Sequence, residues 1–434
     1  MYNLFCVVIC DIDFPQGSRW QMNNRLGRDF WIYRCGQIAT ALGYSASSIA
    51  VIWWVLGEYQ KMIFVSYVIV PPLIILAISQ PLVAPLGDRF NKKRLLQYGL
   101  GIQFFSYLIV AVIFMFSKMN ISMLVAFEIV STIGKIIFNS GSIGILPHLV
   151  SERDIPDAIN ITHRINSVMS ILGGALGGSM VTFFGVANSF LFLSTCLSVA
   201  FLLCMLISYS TQNENSSIHI STWLNDIKDG FKYTIGNPVV SGFFMYSIII
   251  GIAFAPMSLA FPYIIKEING LPPVFVGFLT TSMGGGVIFG SLCLPYVKRF
   301  FDSKCIVYIS STLFFLSLLL VSIYHNIMML FIGQFIIGLS RNWINVTVDS
   351  LLMVNLPKEL RTRVLSNLMF FAMINMPVAM IVFGCLMDAL GVYNIFFVLA
   401  MLSFAGMLAI FSNKGVRGFL SAKPEEAMEM LSRD

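Results

Sequence analysis

Long apolar runs, each about the length needed to cross a bilayer, recur along this chain from near residue 30 to near residue 412. A helix needs roughly 20 consecutive apolar residues to span the hydrocarbon. Hydrophobic residues make up 57% of the 434 and charged residues only 11%, far from the mixture found in soluble domains. So few polar side chains cannot cover a water-facing surface, and we predict an all-α polytopic membrane protein.

Charged residues and Gly/Pro breaks separate the apolar runs into two groups of six. The first six spans are predicted near 30–56, 62–86, 94–117, 121–146, 164–185 and 187–209. The second six are predicted near 240–265, 274–297, 305–324, 327–352, 364–387 and 391–412. The expected segments are a cytosolic leader at 1–29, a six-helix half at 30–209, a cytosolic link at 210–239, a second six-helix half at 240–412 and a cytosolic tail at 413–434.

Three local features refine this plan. Met22 opens a short basic leader and is preferred over Met1 as the start, in which case residues 1–21 are not translated. The stretch from Trp223 to Tyr233 is predicted to form an amphipathic helix on the membrane surface. Pro256 and Pro262 predict a kink in the seventh helix.

The distribution of Lys and Arg predicts the orientation. Of the 27 basic residues, 21 fall in segments that face the cytosol if the N-terminus is cytosolic, and Lys61, Lys118 and Lys266 are the three in outer loops. Cytosolic loops carry the excess of Lys and Arg. We therefore predict a multi-pass protein of the inner (cytoplasmic) membrane with both termini in the cytosol.

Several chemistries lack support in the sequence. No GxxxxGK[ST] loop is present, so ATP is not expected as the direct energy source. The eight cysteines form no C-x-x-C pair and the four histidines are scattered, so we expect no metal, no cofactor and no enzyme activity. The net charge of +6 is explained by the cytosolic loops rather than by nucleic-acid binding. The expected partners are a small-molecule substrate, protons and the lipid bilayer, with the chain acting as a monomer.

Several loops resemble those of the major facilitator superfamily. Residues 86–95 read LGDRFNKKRL and resemble its signature loop between helices two and three, although Ala84 and Asn91 stand where glycines are usual. Residues 146–160 (LPHLVSERDIPDAIN), 226–233 (DIKDGFKY) and 356–364 (LPKELRTRV) resemble links of its drug-efflux branch, which includes the enterobactin exporter and macrolide efflux proteins. The resemblance implies about twelve transmembrane helices in two six-helix halves related by a pseudo-two-fold axis, with helices one, four, seven and ten lining a cavity.

The signature-like loop suggests a gate. In it, Asp88 and Arg89 are predicted to bridge helix ends in one conformation and release them in another. The alternative is a basic stop signal in which Asp88 is incidental.

A glycine run in the fifth helix is the second motif with two interpretations. It comprises Gly173, Gly174, Gly177 and Gly178. The run resembles the antiporter motif of exporters, and close helix packing is the alternative.

A polar stripe in helix four is repeated in helix ten. Helix four carries Glu128, Ser131, Lys135, Asn139 and Ser142 on one face, and helix ten carries Gln334, Arg341, Asn345 and Asp349. An offset of 206 positions places Lys135 on Arg341, Asn139 on Asn345 and Glu128 on Gln334. Because charges inside spans are costly, we predict that Lys135, Arg341, Asn139, Asn345 and Gln334 bind substrate. The resemblance to the major facilitator superfamily implies that both cations face one chamber. Snorkelling of the two cations to the inner interface is the alternative.

The stripe also carries the functional prediction. A carboxyl group in low dielectric retains its proton more readily, so Glu128 is the candidate proton carrier, and a static hydrogen bond is its alternative role. Two cations favour an anionic cargo. We expect a secondary active, proton-coupled exporter of a small anionic metabolite such as a siderophore, or of a drug. The alternatives are an importer of a ferric siderophore or nutrient, a lysophospholipid flippase, and a non-transporting membrane sensor or scaffold.

Overall fold

A computed structural model describes residues 26–143, 145–208, 232–356, 358–421, 426 and 430–431 of the chain. Within these ranges, side chains are not described at 80–82, 84–89, 143, 147, 152, 156, 163 and 358–373. Every regular element in this part of the chain is helical. A helix satisfies its backbone hydrogen bonds within one segment, which is what a solvent without water requires.

Six spans make up the first part of the chain. They begin with α1 (Gly27–Tyr59), α2 (Met62–Arg89), α3 (Lys92–Phe116) and α4 (Ile121–Ile143). A short turn, Leu146–Leu149, and a 3-10 turn, Glu152–Asp154, then lead to one long helix, Ile155–Met205. This helix breaks at Gly185, and we name its arms α5 (155–184) and α6 (186–205).

Gly185 makes the turn between α5 and α6 without a loop. Its φ is +82° and its ψ is 178°, a conformation that L side chains rarely adopt. No atom lies within 4 Å of the place where a Cβ would stand, so the backbone conformation, and not crowding, favours glycine here. The predicted boundary between the fifth and sixth spans is confirmed at this residue.

The second part of the chain also contains six spans. These are α7 (Pro238–Phe254), α8 (Val274–Phe300), α9 (Ser303–Ile323), α10 (Ile327–Asn355), α11 (Lys358–Leu390) and α12 (Val392–Ser412), and a short α13 (Lys414–Ser421) follows them. The predicted kink in the seventh span is confirmed, because α7 stops at Phe254 and the chain continues as Met257–Tyr263 and a π-helical turn, Ile264–Ile268.

Ten described helices are long and apolar enough to cross a membrane. One of them, Asp157–Met205, holds both α5 and α6, and a shorter apolar helix, Ile374–Leu390, forms the end of α11. The predicted all-α polytopic membrane fold is therefore confirmed. Several helices extend beyond their apolar runs, since α5 begins at Ile155 rather than near 164 and α11 at Lys358 rather than near 364. The added turns are polar and extend the helix beyond the hydrocarbon, so a search for apolar runs does not identify them.

Two compact units follow from the contacts between residues. Unit 1 contains residues 1–51 and 78–216, and unit 2 contains residues 52–77 and 217–434. The end of α1 and the first half of α2 thus belong to unit 2, an exchange that counting spans does not predict. The predicted segment boundaries placed residues 52–77 in the first six-helix half. Much of the predicted 210–239 link lies outside the described residues.

The core of unit 2 includes part of the predicted tail. Val240 and Phe243 of α7 pack with Leu352 of α10 and with Val416 and Phe419 of α13. The rings of Phe243 and Phe419 meet edge to face with centroids 6.0 Å apart. The first residues of the tail are therefore a packed helix that closes one end of this unit.

At the other end of unit 2, two polar side chains hold the segment 52–77. The Asp388 carboxylate, near the end of α11, accepts hydrogen bonds from the backbone N–H of Met62 at 3.0 Å and of Ile63 at 3.1 Å. Asp388 thus caps the N-terminus of α2 from another helix. The Lys266 ammonium donates to the carbonyl oxygen of Trp53 at 2.7 Å and lies 4.9 Å from its ring centroid.

We expect Asp388→Ala to destabilise unit 2, because the substitution removes the acceptor for two backbone donors at the start of α2. Loss of a cap costs about 1 kcal/mol. The measurement is the apparent melting temperature of the purified protein in detergent. Asp302→Ala is the matched control, since Asp302 also precedes a helix but its side chain makes no capping bond. Equal melting temperatures for the two variants would contradict the tethering role of Asp388.

Candidate functional site

A cavity of about 410 Å³ lies within unit 1, beside the first part of α1. Eight of its eleven lining residues carry a polar side-chain atom. The lining consists of Tyr33, Arg34, Gln37, Thr40, Ala41 and Tyr44 from α1, Phe138 and Ser142 from α4, Leu146, and Thr162 and Asn166 from α5. The α1 residues recur at intervals of three and four, so they share one helix face. A polar face on a membrane-spanning helix marks the side that meets water or ligand rather than lipid.

Hydrogen bonds connect α1 with α4 across this cavity. The hydroxyls of Tyr33 and Ser142 are 2.6 Å apart, and the Gln37 Nε2 donates to the Tyr33 hydroxyl at 2.9 Å. The Arg34 Nη1 in turn donates to the Gln37 Oε1. These bonds orient Gln37, and with it one side of the Arg34 guanidinium.

Arg34 is the most buried charge of the cavity. Only 6% of its surface is exposed, and its Nε has no hydrogen-bond partner. The guanidinium carbon lies 5.3 Å from the ring centroids of both Phe30 and Tyr33. The sequence analysis assigned no role to this residue. Its position as a cation within a predicted span was a signal that could have identified it.

A second polar cluster lies deeper along α1 and joins three helices. The Lys135 ammonium stands 5.2 Å from the ring centroid of Tyr44, whose hydroxyl donates to the Oε1 of Gln103 on α3. The Tyr107 hydroxyl donates to the Glu128 Oε2 at 3.1 Å. The predicted residues Glu128 and Lys135 are thus brought into one cluster, and Tyr44, Gln103 and Tyr107 are members that the sequence analysis missed.

The side chain of Lys135 points towards α1. It is exposed in the folded chain, and its ammonium lies over a ring that also lines the cavity. Glu128 and Lys135 lie about two turns apart on the same face of α4. The Tyr44 ring is a partner for the Lys135 ammonium within the fold, and snorkelling to the interface stays the alternative interpretation.

Unit 2 contains a similar pair. The Arg341 guanidinium carbon of α10 lies 3.7 Å from the ring centroid of Phe254 on α7. In each unit, therefore, a cation of the fourth helix of that half rests on an aromatic ring of the first helix of the same half. Such contacts are favourable and are stronger where water is excluded.

The remaining predicted polar residues differ in exposure. Gln334 is 5% exposed and its Oε1 has no hydrogen-bond partner, whereas Asn345 is exposed. Asn139 is half-buried. Their role in binding substrate stays a prediction.

The predicted gate lies partly outside the described residues, since the side chains of Asp88 and Arg89 are not described. The backbone differs from the expected loop, because α2 continues through Arg89 and α3 starts at Lys92. The Asn91 side chain accepts a hydrogen bond from the backbone N–H of Arg94 at 3.2 Å, which caps α3. This capping allows a link of only two residues.

The glycine run of α5 lies against α1. Gly173, Gly174, Gly177 and Gly178 are all buried. A Cβ on Gly177 would stand 2.7 Å from the backbone carbonyl of Ser45, which is closer than real Cβ contacts allow. Close helix packing accounts for glycine at this position. A role of the run in export stays a prediction.

Comparison with known proteins places these features in context. The family model described as transmembrane secretion effector matches residues 22–428. The staphyloferrin A transporter of Staphylococcus aureus (strain NCTC 8325 / PS 47) is 25% identical over 331 residues, which cover 76% of this chain and 82% of that protein.

Solved structures share the fold at low identity. A mutant of the nucleoside transporter NupG superposes with a TM-score of 0.71 at 12% identity, covering 89% of this chain and 100% of that one. An inward-facing bacterial homologue of the iron transporter ferroportin gives a TM-score of 0.67 at 13% identity, covering 88% and 98%. At these identities the likeness concerns the fold alone.

Proposed function

Since the chain belongs to the transmembrane secretion effector family of major facilitator transporters, we propose that it exports a small anionic metabolite in exchange for protons. The cargo class that fits best is a carboxylate-bearing siderophore. The observation that carries this proposal is the pair of intramembrane cations, Lys135 on Tyr44 and Arg341 on Phe254.

Charge complementarity supports an acidic cargo. Holding a cation within a span costs several kcal/mol unless a partner offsets the lost hydration. An aromatic ring offsets only part of that cost, about 0.5 to 2 kcal/mol. A carboxylate of the cargo supplies the rest, whereas a cationic drug would be repelled.

The relatives favour the same cargo class and direction. One relative is named as a transporter of staphyloferrin A, a siderophore, and the family is described by secretion. Import of a ferric siderophore or nutrient, or flipping of a lysophospholipid, would use the same fold. These activities are separated from export by measuring where the cargo accumulates.

Lys135→Gln and Arg341→Gln should each weaken transport of an acidic cargo, because each removes a charged contact with it. A charged hydrogen bond contributes about 1.5 to 3 kcal/mol, or roughly a 10- to 100-fold loss in transport efficiency. If both side chains bind the same cargo, the double variant should lose less than the two single losses combined. The measurement is uptake of one polycarboxylate and one neutral analogue into inside-out vesicles, normalised to folded protein.

Lys118→Gln is the control for this experiment, since Lys118 is an exposed cation outside the spans. Equal losses for the acidic and the neutral compound would refute the anion site. Loss of folded protein in both single variants would instead make the two cations structural.

Glu128 is proposed as the proton carrier of the exchange. Its carboxyl group lies within a span, where it accepts a hydrogen bond from the Tyr107 hydroxyl. In an exchange of cargo for protons the two ligands bind in alternation, so Glu128 takes up a proton in the state without cargo and releases it in the state that binds cargo.

Glu128→Gln should therefore abolish accumulation driven by a pH gradient while leaving exchange of labelled cargo at equal pH largely intact. Both are measured in the same vesicles. Tyr107→Phe is the matched control, because it removes the hydrogen bond and keeps the carboxyl group. If vesicles that contain the Glu128→Gln variant accumulate cargo normally when a pH gradient is applied, Glu128 is a static hydrogen-bond partner.

The proposed orientation places both termini in the cytosol. In a cysteine-free background, cysteines replacing Glu58 and Glu267, both exposed, should react with a membrane-impermeant maleimide added outside intact cells. A cysteine replacing the exposed Lys298 should react only after the membrane is opened. The reverse labelling pattern would invert the orientation and, with it, the proposed direction of transport.

A further inference from the structure

We propose that Arg34 and Gln37 form a second anion subsite, which binds a carboxylate of the cargo in the unit 1 cavity before it reaches Lys135. This inference rests on the proposed export of an acidic metabolite and adds a second binding position for the cargo. Neither residue was predicted to take part in binding.

The first argument is an unpaired charge. Within the described residues Arg34 makes no ion pair, although 94% of its surface is buried, as follows from its 6% exposure. Asp29 of the same helix accepts a hydrogen bond from the Ser208 N–H at 3.0 Å instead. A buried cation without an ion-pair partner is unfavourable, so an anionic partner is expected.

The second argument is the geometry of the guanidinium. Gln37 holds Nη1, and Nε is buried without a partner, so a carboxylate reaches Nε only when the side chains that cover it move. Nε and Nη2 form the edge of an arginine that pairs with a carboxylate through two parallel hydrogen bonds. The neighbouring Gln37 is itself held by Tyr33, so this edge is oriented before a ligand arrives.

The third argument is the cavity. Its volume of about 410 Å³ lies within the range typical of small-molecule sites. Arg34 is the only formally charged residue among its described lining residues, and no carboxylate belongs to that set. The cavity therefore selects an anion over a cation.

The spacing of the two cations indicates the kind of anion. Arg34 and Tyr44 lie ten residues apart on α1, which corresponds to about 15 Å of helix, and both line the cavity. Lys135 stands on the ring of Tyr44. A cargo with several carboxylates can contact Arg34 first and Lys135 next, or both at once, whereas a monocarboxylate can use only one of them.

The test uses citrate as a tricarboxylate probe on the purified full-length protein, with the melting temperature as the readout. Citrate should stabilise the unaltered protein, and its uncharged triethyl ester should not. In Arg34→Gln the citrate concentration that gives half of the maximal shift should rise at least about tenfold, the equivalent of one lost charged hydrogen bond. Arg34→Lys retains the charge and loses the planar guanidinium. Its half-maximal citrate concentration should lie between those of the unaltered protein and Arg34→Gln.

Stability without ligand separates binding from a structural role. If Arg34 serves the ligand, Arg34→Met should melt at least as high as the unaltered protein in the absence of citrate, because it removes a buried charge that has no ion-pair partner. Arg299→Met is the control, since Arg299 also lies over a ring, 5.6 Å from Tyr296, but is exposed. It should leave the citrate response unchanged.

Several results would overturn the subsite: no stabilisation of the unaltered protein by citrate, an equal citrate response in Arg34→Met, or lower ligand-free stability in every Arg34 variant. An equal response to inorganic phosphate would overturn the assignment to carboxylates.

Failure of the subsite can be told from failure of the export proposal. If Arg34 variants bind citrate normally while Lys135→Gln selectively impairs acidic cargo, the subsite falls alone. If Arg34 governs citrate binding while the Lys135→Gln and Arg341→Gln variants transport acidic cargo normally, the proposed anion site at Lys135 and Arg341 is contradicted and the subsite at Arg34 is supported.

Discussion

The lack of water in a bilayer is the constraint on which the rest of this structure depends. A backbone amide in hydrocarbon has no solvent partner, so the chain folds into helices that satisfy these groups locally. Where a helix must bend, its sequence supplies a specific cause. Gly185 turns α5 into α6 with a positive φ, and the Ala255–Pro256 turn interrupts the seventh span.

The same constraint explains how the polar side chains are arranged. Each ionised group within a span needs a partner that replaces water, and the described residues provide aromatic rings and hydroxyls. Lys135 and Arg341 use rings on the first helix of their own half, while Glu128 uses the Tyr107 hydroxyl. Arg34 has two rings and Gln37 but keeps an unpartnered Nε, which is why it stands out as a place for a ligand.

Contacts at helix ends join segments that are distant in sequence. Asp388 caps α2 and Lys266 binds the end of α1 through atoms that are distant in sequence. These contacts explain why residues 52–77 join unit 2 rather than unit 1. Hydropathy identifies where a helix crosses the membrane, but it carries no information about which neighbour satisfies a helix terminus, since that neighbour is more than 200 residues away.

The membrane environment, the all-α fold, the number of spans and the superfamily could be predicted from the sequence, because apolar runs of spanning length and the order of the loop motifs are local properties. The sequence also identified Lys135, Arg341 and Glu128, because charges are conspicuous in apolar helices. The partners of these charged residues could not be predicted, because they depend on how the helices pack. Tyr44, Gln103 and Tyr107 are ordinary polar or aromatic residues until packing brings α1, α3 and α4 together, and the significance of Arg34 rests on a cavity and an unpartnered atom that arise only when three helices meet.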